Sequence, residues 1–151
     1  MRERRRWNWA NIGAVLVLSA ILGGGIYENL VLDPSWPSRP DLIQPKHGGV
    51  RRGRFWLPAH LLFEALLLAS LAVSWKVADV RLWLLACLGI HIITRLWSAL
   101  YFIPKALAFE RADVVDEKFA RQWTFKSKFR LPLELLTLAL LINAARIAFR
   151  M

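Results

Sequence analysis

The sequence is poor in cysteine and in acidic residues. Its single cysteine, Cys87, excludes an intramolecular disulfide. It has 11 aspartates and glutamates and 21 lysines and arginines, which gives a formal net charge of +10. In a soluble protein such an excess suggests nucleic acid, but no nucleic-acid-binding motif accompanies it here. Basic residues that flank membrane segments and meet anionic head groups explain it better, so we expect membrane lipids and no nucleic acid as partners.

The chain also lacks the short motifs of nucleotide, zinc and acyl-transfer sites. It contains no phosphate-binding loop, dinucleotide fingerprint, zinc motif or GxSxG elbow. A di-iron bundle uses Glu-x-x-His motifs, whereas His60 precedes Glu64 by four residues in HLLFE. A bis-histidine haem needs two histidines at similar depth, and helical rise separates His60 from His91 by roughly 10 Å. The sequence therefore predicts no metal and no cofactor.

Long apolar runs are abundant. Four stretches reach the length of about 20 residues that a membrane-spanning helix needs. They are continuous and not alternating, which favours helices over barrel strands. The start MRERRR resembles that of a signal peptide, but the long first run without a cleavage site predicts a retained helix. We therefore predict an all-α, multi-pass integral membrane protein, a four-helix bundle in one domain over residues 1–151, with spans at about 9–32, 55–77, 82–103 and 131–149.

The first two connections between these spans differ in kind. The second, around residues 78–80, is a tight turn, so we expect the second and third helices to be antiparallel neighbours. The first, residues 33–54, contains four prolines and three glycines and cannot be helical throughout. We expect it to be ordered and to pack over the end of the bundle, because Trp36, Leu42 and Ile43 have apolar surface to bury.

The third connection, residues 104–130, mixes charges with apolar residues. Leu107, Val115, Phe119 and Trp123 recur at multiples of four residues, which predicts an amphipathic helix. We call the end of the bundle that carries the first and third connections the long-loop end. It has more lysine and arginine than the other end, but a dense arginine cluster precedes the first span, so the membrane orientation stays open.

Ionisable residues inside the predicted spans point to a site. Such residues are costly in hydrocarbon and usually face the interior of a bundle. Helical rise places five of them in the half of the bundle nearer the long-loop end and His91 near the midplane. The sequence therefore predicts a polar pocket in one leaflet half, below the first connection. The ionisable residues within the spans are Glu28, His60, Glu64, His91, Arg95 and Glu134.

Four of these residues form the predicted catalytic set. His60 and Glu64 share one helix face, as do His91 and Arg95. Arg95 cannot lose its proton and needs a carboxylate, and Glu64 lies at its depth on the next helix. We expect Glu64 or His60 to act as the base, Arg95 to stabilise an anion and His91 to carry a second proton. The residues predicted to line the substrate site are Glu28, Trp56, Trp97, Tyr101 and Glu134.

Each of these residues also has a structural alternative. In the alternative for Glu64 and Arg95, the ion pair serves only to fix the register of the two helices. In the alternative for His91, which has no carboxylate at its own depth, the side chain forms a hydrogen bond to a neighbouring backbone group. Glu134 at the interface pairs with a basic residue such as Arg130. The aromatic residues serve as interfacial belts, and the glycines at 23–25 allow a neighbouring helix to approach closely.

Three short stretches give the chain a resemblance. They are GGGIYENLVLDPSW at the end of the first span, YFIPKALAFE after the third and ARQWTFKSKFR before the fourth. With the glycines at 23–25, Pro34, Pro104, Trp123 and Arg130, the chain resembles the anthrone-oxygenase-like family of small membrane proteins. The resemblance implies a four-helix fold and cofactor-independent oxidation of aromatic substrates. The family often has an asparagine soon after the third-span proline, where this chain has lysine and alanine, so no role of that asparagine carries over.

Two classes of function fit these residues. The first is a small membrane enzyme, an oxidoreductase or an isomerase or cyclase, that acts on a lipophilic small molecule by acid–base chemistry. The second is a non-catalytic membrane subunit whose buried charges fix helix packing and partner binding, with a second copy or another membrane protein as the partner. Four spans without inverted repeats make a transporter a poorer fit.

Overall fold

We obtained the fold as a computed structural model. The structure describes the backbone of residues 2–150 and the side chains of residues 9–150. The side chains of the arginine cluster at 2–6, which entered the orientation argument, therefore lie outside the described residues. Within residues 2–150 the structure contains six α-helices, two π-helical turns and two short 3₁₀ helices, and no strand. The α-helices are α1 (Arg2–Tyr27), α2 (Gly53–Val73), α3 (Ala78–Trp97), α4 (Ile103–Arg111), α5 (Glu117–Ser127) and α6 (Arg130–Arg150).

These helices form a four-span, multi-pass integral membrane protein, which confirms the predicted fold class. Within the described part of the chain, four helical segments are long and apolar enough to cross a bilayer. The segments are Trp9–Leu32, Gly53–Val73, Ala78–Arg111 and Glu117–Arg150. The outer surface matches this environment, because large apolar side chains such as Leu16, Leu68 and Leu82 are exposed on it.

The bundle has a clear order around its axis. Helix α1 packs between α2 and α6, and α3 packs mainly on α6. The seam between α2 and α3 is the least tightly packed of the four, although a short turn at 74–77 joins these two helices. An apolar core fills the half of the bundle away from the long-loop end. Its fully buried side chains include Ala14, Ile21, Phe63, Leu67, Leu84, Cys87 and Leu141.

The third helix is longer than its apolar run. It passes through a π-helical turn at Ser98–Phe102 and continues as α4 to Arg111. Pro104 does not end it, because a proline in the first turn of a helical segment has no backbone hydrogen bond to lose. A similar π-helical turn, Glu28–Leu32, ends the first span.

The third connection is amphipathic, but its buried face differs from the predicted one. The helix stops at Arg111 and restarts at Glu117, where the Asp116 side chain accepts a hydrogen bond from the Phe119 backbone N–H (3.1 Å). This break separates Leu107 from the register of α5. Phe119 is exposed, whereas Trp123 is buried as predicted, together with Ala120, Thr124 and Ser127.

The first connection packs against α4 and α5 as an ordered cap. Trp36 and Ile43 are fully buried in a second apolar cluster with Phe102 and Trp123. The Gln44 side chain donates hydrogen bonds to the carbonyl oxygens of Phe109 (3.0 Å) and Ala112 (2.8 Å). These are carbonyls at the end of α4, which lack helical partners of their own.

Candidate functional site

A cavity of about 260 Å³ lies between the apolar core and the second apolar cluster, which contains Trp36, Phe102 and Trp123. All four spans contribute to its wall, and both π-helical turns do as well. Arg130 and Glu134 line it on α6, and the apolar residues Leu57, Ile103 and Leu107 line it on α2 and α4. The wall includes Glu28, Asn29, Arg52, Trp56, Leu57, His60, Arg95, Ser98, Phe102, Ile103, Leu107, Glu110, Trp123, Ser127, Arg130 and Glu134.

Glu64 holds two neighbouring side chains on α3. Its Oε1 atom lies 3.3 Å from Nε of Arg95 and 3.4 Å from Nε2 of His91. The predicted ion pair is therefore present, and the predicted absence of a carboxylate near His91 is wrong, because the side chains bridge the difference in helical depth. Glu64 itself does not line the cavity, whereas Arg95 does. Glu64 thus positions Arg95.

His60 stands in the cavity wall between two aromatic contacts. Its ring stacks on Trp56 with centroids 5.7 Å apart, and the ring of His91 lies 6.3 Å away. The indole Nε1 of Trp56 donates a hydrogen bond of 2.8 Å to Oε1 of Glu28. This hydrogen bond fixes the edge of Trp56 to the π-helical turn that ends the first span, and the face of the Trp56 ring orients His60.

A narrow extension of about 10 Å³ continues from the cavity towards the bundle interior. His60, His91, Thr94 and Arg95 line it together with residues of α6. The volume matches that of one water molecule, and the wall supplies the polar partners that such a water needs. The two histidines therefore face a common polar space, although only His60 also lines the main cavity.

Arg130 and Glu134 occupy one face of α6 and project into the cavity. Arg130 donates hydrogen bonds to Oγ of Ser127 (2.8 Å) and to its carbonyl oxygen (3.4 Å), and its guanidinium lies 4.5 Å from the ring centroid of Phe102. Among the described side chains, no carboxylate lies within 4 Å of Arg130, and no cation within 4 Å of Glu134. The expected Arg130–Glu134 ion pair is therefore absent at that distance.

The end of the cavity below the cap is closed by Arg52 and Glu110. Nη2 and Nε of Arg52 lie 3.2 and 3.3 Å from Oε1 of Glu110. The same guanidinium lies 5.9 Å from the ring of Trp36 and 5.7 Å from that of Trp123. The Arg52–Glu110 pair is more deeply buried than the Glu64–Arg95 pair.

Asp33 lies at the junction of the first span and the cap. It is buried and accepts a hydrogen bond of 3.0 Å from Nε1 of Trp36. Burial, which disfavours the charged carboxylate, raises the pKa of Asp33 to about 6. Asp33 therefore carries a charge that the fold disfavours at neutral pH.

Three polar atoms of the cavity wall have no hydrogen-bond partner within the part of the chain that the structure describes. They are Oδ1 of Asn29, Nδ1 of His60 and Nε1 of Trp123, and all three are buried. Unpaired buried polar groups are costly, and a ligand or ordered water in the cavity would satisfy them. Together these unpaired atoms indicate that the cavity binds a polar ligand.

The structure brings most of the predicted site residues together. His60, Arg95, Glu28, Trp56 and Glu134 line the cavity, and His91 lines its extension. Trp97 and Tyr101 do not line it. They pack edge-on against Phe102 with centroids 5.1 and 4.9 Å away, and Lys105 lies over the Tyr101 ring.

Several residues of the cavity wall are not predicted as site residues from the sequence. Arg52 and Arg130 lie beyond the ends of the apolar runs, and Arg130 enters only as a partner for Glu134 and through the family resemblance. Trp123 was assigned to an amphipathic face. The pattern that predicts Arg52 and Arg130 is a basic residue within one turn of the start of a span.

Comparisons with known proteins add no relative. No family model matches the chain, and neither a curated protein nor a solved structure shows significant similarity to it. The resemblance to anthrone-oxygenase-like proteins therefore extends only to the coarse architecture, a small four-helix membrane protein.

Proposed function

We propose that the protein is a small membrane enzyme that binds a lipophilic small molecule in the central cavity and acts on it by acid–base chemistry. One observation carries the proposal. The same cavity wall holds His60, with an unpaired buried Nδ1 atom, and Arg95, whose positive charge is permanent. A base and an anion stabiliser are the two groups that proton abstraction next to a carbonyl requires.

In the proposed step, His60 removes a proton from the carbon next to a substrate carbonyl. The electron pair of the broken C–H bond moves onto the carbonyl oxygen, and Arg95 stabilises the negative charge that forms there. In an unsaturated carbonyl compound, return of the proton from His60 to the far carbon of the dienolate completes an isomerisation without any change of oxidation state. In a ring closure, the enolate carbon instead bonds to a second carbonyl carbon of the substrate, and His60 returns the proton to the oxygen of that carbonyl, again without any change of oxidation state. Glu64 and His91 are positioning residues in this scheme, since Glu64 contacts Arg95, His91 contacts Glu64, and neither lines the main cavity.

A finer possibility follows from the resemblance to anthrone-oxygenase-like proteins. The carbanion formed by His60 is also the species with which dioxygen reacts in a cofactor-independent oxygenation. The two outcomes differ in product mass, because isomerisation leaves the mass unchanged and oxygenation adds oxygen and consumes O₂.

The test is a search for turnover in a native lipid extract. Purified protein in lipid nanodiscs is incubated with the extract, with and without O₂, and all small molecules are compared by liquid chromatography and mass spectrometry. We expect a substrate–product pair that the wild type produces and His60→Gln does not. His47→Gln is the matched control, because His47 is exposed on the cap. A pair made equally by His60→Gln, or no pair in repeated extracts, would contradict the proposal.

A second candidate function is that of a non-catalytic subunit. It is favoured by the exposure of the Glu64 and Arg95 side chains, 37% and 30%, at the loosely packed α2–α3 seam. A transmembrane helix of another protein that covered this seam would bury the pair. Co-purification of a stoichiometric partner that the Glu64→Gln/Arg95→Gln double variant loses would support this function over the enzymatic one.

A further inference from the structure

The cap packs against two residues that line the cavity, Phe102 and Trp123. The cap residues Trp36 and Ile43 are fully buried above it, and Gln44 ties the cap to the end of α4. Below the cap, the Arg52–Glu110 pair crosses from the start of α2 to α4. A molecule that entered from water would have to break these contacts.

Part of the cavity wall is apolar and reaches the outer surface of the bundle. Three apolar residues of its wall are also exposed on the outer surface, namely Leu57 at 63%, Ile103 at 42% and Leu107 at 41%. They stand at the long-loop end of the α2–α3 seam, where these two helices are only loosely packed. We call Leu57, Ile103 and Leu107 the seam opening.

Arg130, which lines the cavity on α6, offers a positive charge to a ligand. Arg130 uses two of its donor nitrogens on Ser127 and has no carboxylate within 4 Å among the described side chains. A guanidinium inside a membrane protein that has no close carboxylate is costly, and an oxygen-bearing head group would stabilise it through charge-assisted hydrogen bonds. The unpaired Nδ1 of His60 stands in the same wall.

We infer that the cavity takes its ligand from the bilayer, through the seam opening. The ligand is a single-chain amphiphile with an anionic oxygen head group at Arg130 and a hydrocarbon chain that leaves past Leu57 and Ile103. This inference deepens the proposed function and rests on the same cavity. It names the class of molecule and its route, whether or not turnover follows. A fatty acid and a phosphate monoester of a long-chain alcohol share this chemistry.

The test is photolabelling in nanodiscs, which measures binding without turnover. The first probe is a palmitate with a diazirine close to its carboxyl group, and the second is an alkylamine of the same length with the diazirine at the same carbon. Labelled residues are mapped by mass spectrometry. A dodecyl phosphate competitor then shows whether phosphate and carboxylate heads share the site.

We expect the palmitate probe to label cavity residues such as Ser98 and Ala106 about tenfold more than the amine does, because a charge-assisted hydrogen bond contributes on that order. Arg130→Gln should remove this preference, and Arg130→Lys should keep part of it. Leu57→Trp, which narrows the seam opening, should lower cavity labelling, whereas Leu16→Trp on the lipid-facing side of α1 should not.

Two results would overturn the inference. The first is labelling confined to lipid-facing residues with no preference between the two heads. The second is a preference that survives in a folded Arg130→Gln protein. Cavity labelling that depends on Arg130, combined with no turnover in any extract, would keep this inference and contradict only the enzymatic proposal.

Discussion

Oε1 of Glu64 lies 3.3 Å from Nε of Arg95 and 3.4 Å from Nε2 of His91, so one carboxylate on α2 holds two side chains on α3. This bridge crosses the most loosely packed seam of the bundle. Because α2 and α3 pack only loosely, this bridge is what fixes the guanidinium of Arg95 in the cavity wall.

The first prediction concerns this bridge. Glu64→Gln should lower the free energy of unfolding by about 1–3 kcal/mol, below the 3–5 kcal/mol of a fully buried pair because both side chains are about one-third exposed. The Glu64→Gln/Arg95→Gln double variant should be less destabilised than the sum of the single variants, measured by denaturant titration in detergent. The matched control is the exposed Glu117–Arg121 pair on α5, whose double-mutant coupling should stay below about 0.5 kcal/mol. Strict additivity at Glu64 and Arg95 would show that the bridge contributes no coupling.

The second prediction concerns the attachment of the cap. Gln44→Met should leave the carbonyls of Phe109 and Ala112 unpaired and destabilise the protein by about 1–3 kcal/mol. Limited proteolysis should then cut residues 33–52 faster than in the wild type. Arg39→Ala on the same cap removes only an exposed pair with Asp41 and should leave the cleavage rate unchanged. Equal cleavage rates for both variants would contradict the attachment.

The third prediction separates the glycines of the first span. A Cβ at Gly25 would lie 2.9 Å from Cδ2 of Leu131 and 3.6 Å from Oε2 of Glu134, whereas a Cβ at Gly23 would meet nothing within 4 Å. Gly23→Ala should be neutral or stabilise by up to about 1 kcal/mol through helix propensity. Gly25→Ala should melt at a lower temperature than Gly23→Ala and should reduce photolabelling inside the cavity. Equal melting temperatures and equal labelling would refute the role of Gly25 in making room at the cavity.

The fourth prediction concerns pH. The pKa of Asp33 is raised from 3.8 to about 6 in the folded protein, so the folded state binds this proton more tightly than the unfolded state does. The contribution of Asp33 to stability is therefore fully present below about pH 4 and is lost as the pH rises through about 6. Asp33→Asn keeps an acceptor for Trp36 and lacks the charge. At pH 7.5 it should exceed the wild type in stability by up to ~3 kcal/mol, and the difference should vanish as the pH falls to about 4. A wild type that is the more stable protein at pH 7.5 would reverse the sign and contradict the account.

Much of the fold could be predicted from the sequence because long apolar runs have a single stable arrangement in a bilayer. The Glu64–Arg95 pair could be predicted for the same reason, since an arginine in a span needs a carboxylate at its depth. The contact between Glu64 and His91 could not, because side-chain reach adds several ångströms to a depth counted along the backbone. The place of Arg130 in the cavity wall could not be predicted either, because its charge is removed from water only by the tertiary contacts with α5 and Phe102.

The central claim is that the cavity holds an amphiphile from the membrane, and a high-resolution structure of the protein purified in native lipid tests it most directly. We predict density in the cavity, with a head group within hydrogen-bond distance of Arg130, a polar contact to His60 and a chain that leaves between Leu57 and Ile103. A collapsed cavity, with Arg130 paired to Glu134 and His60 packed against apolar side chains, would contradict the claim.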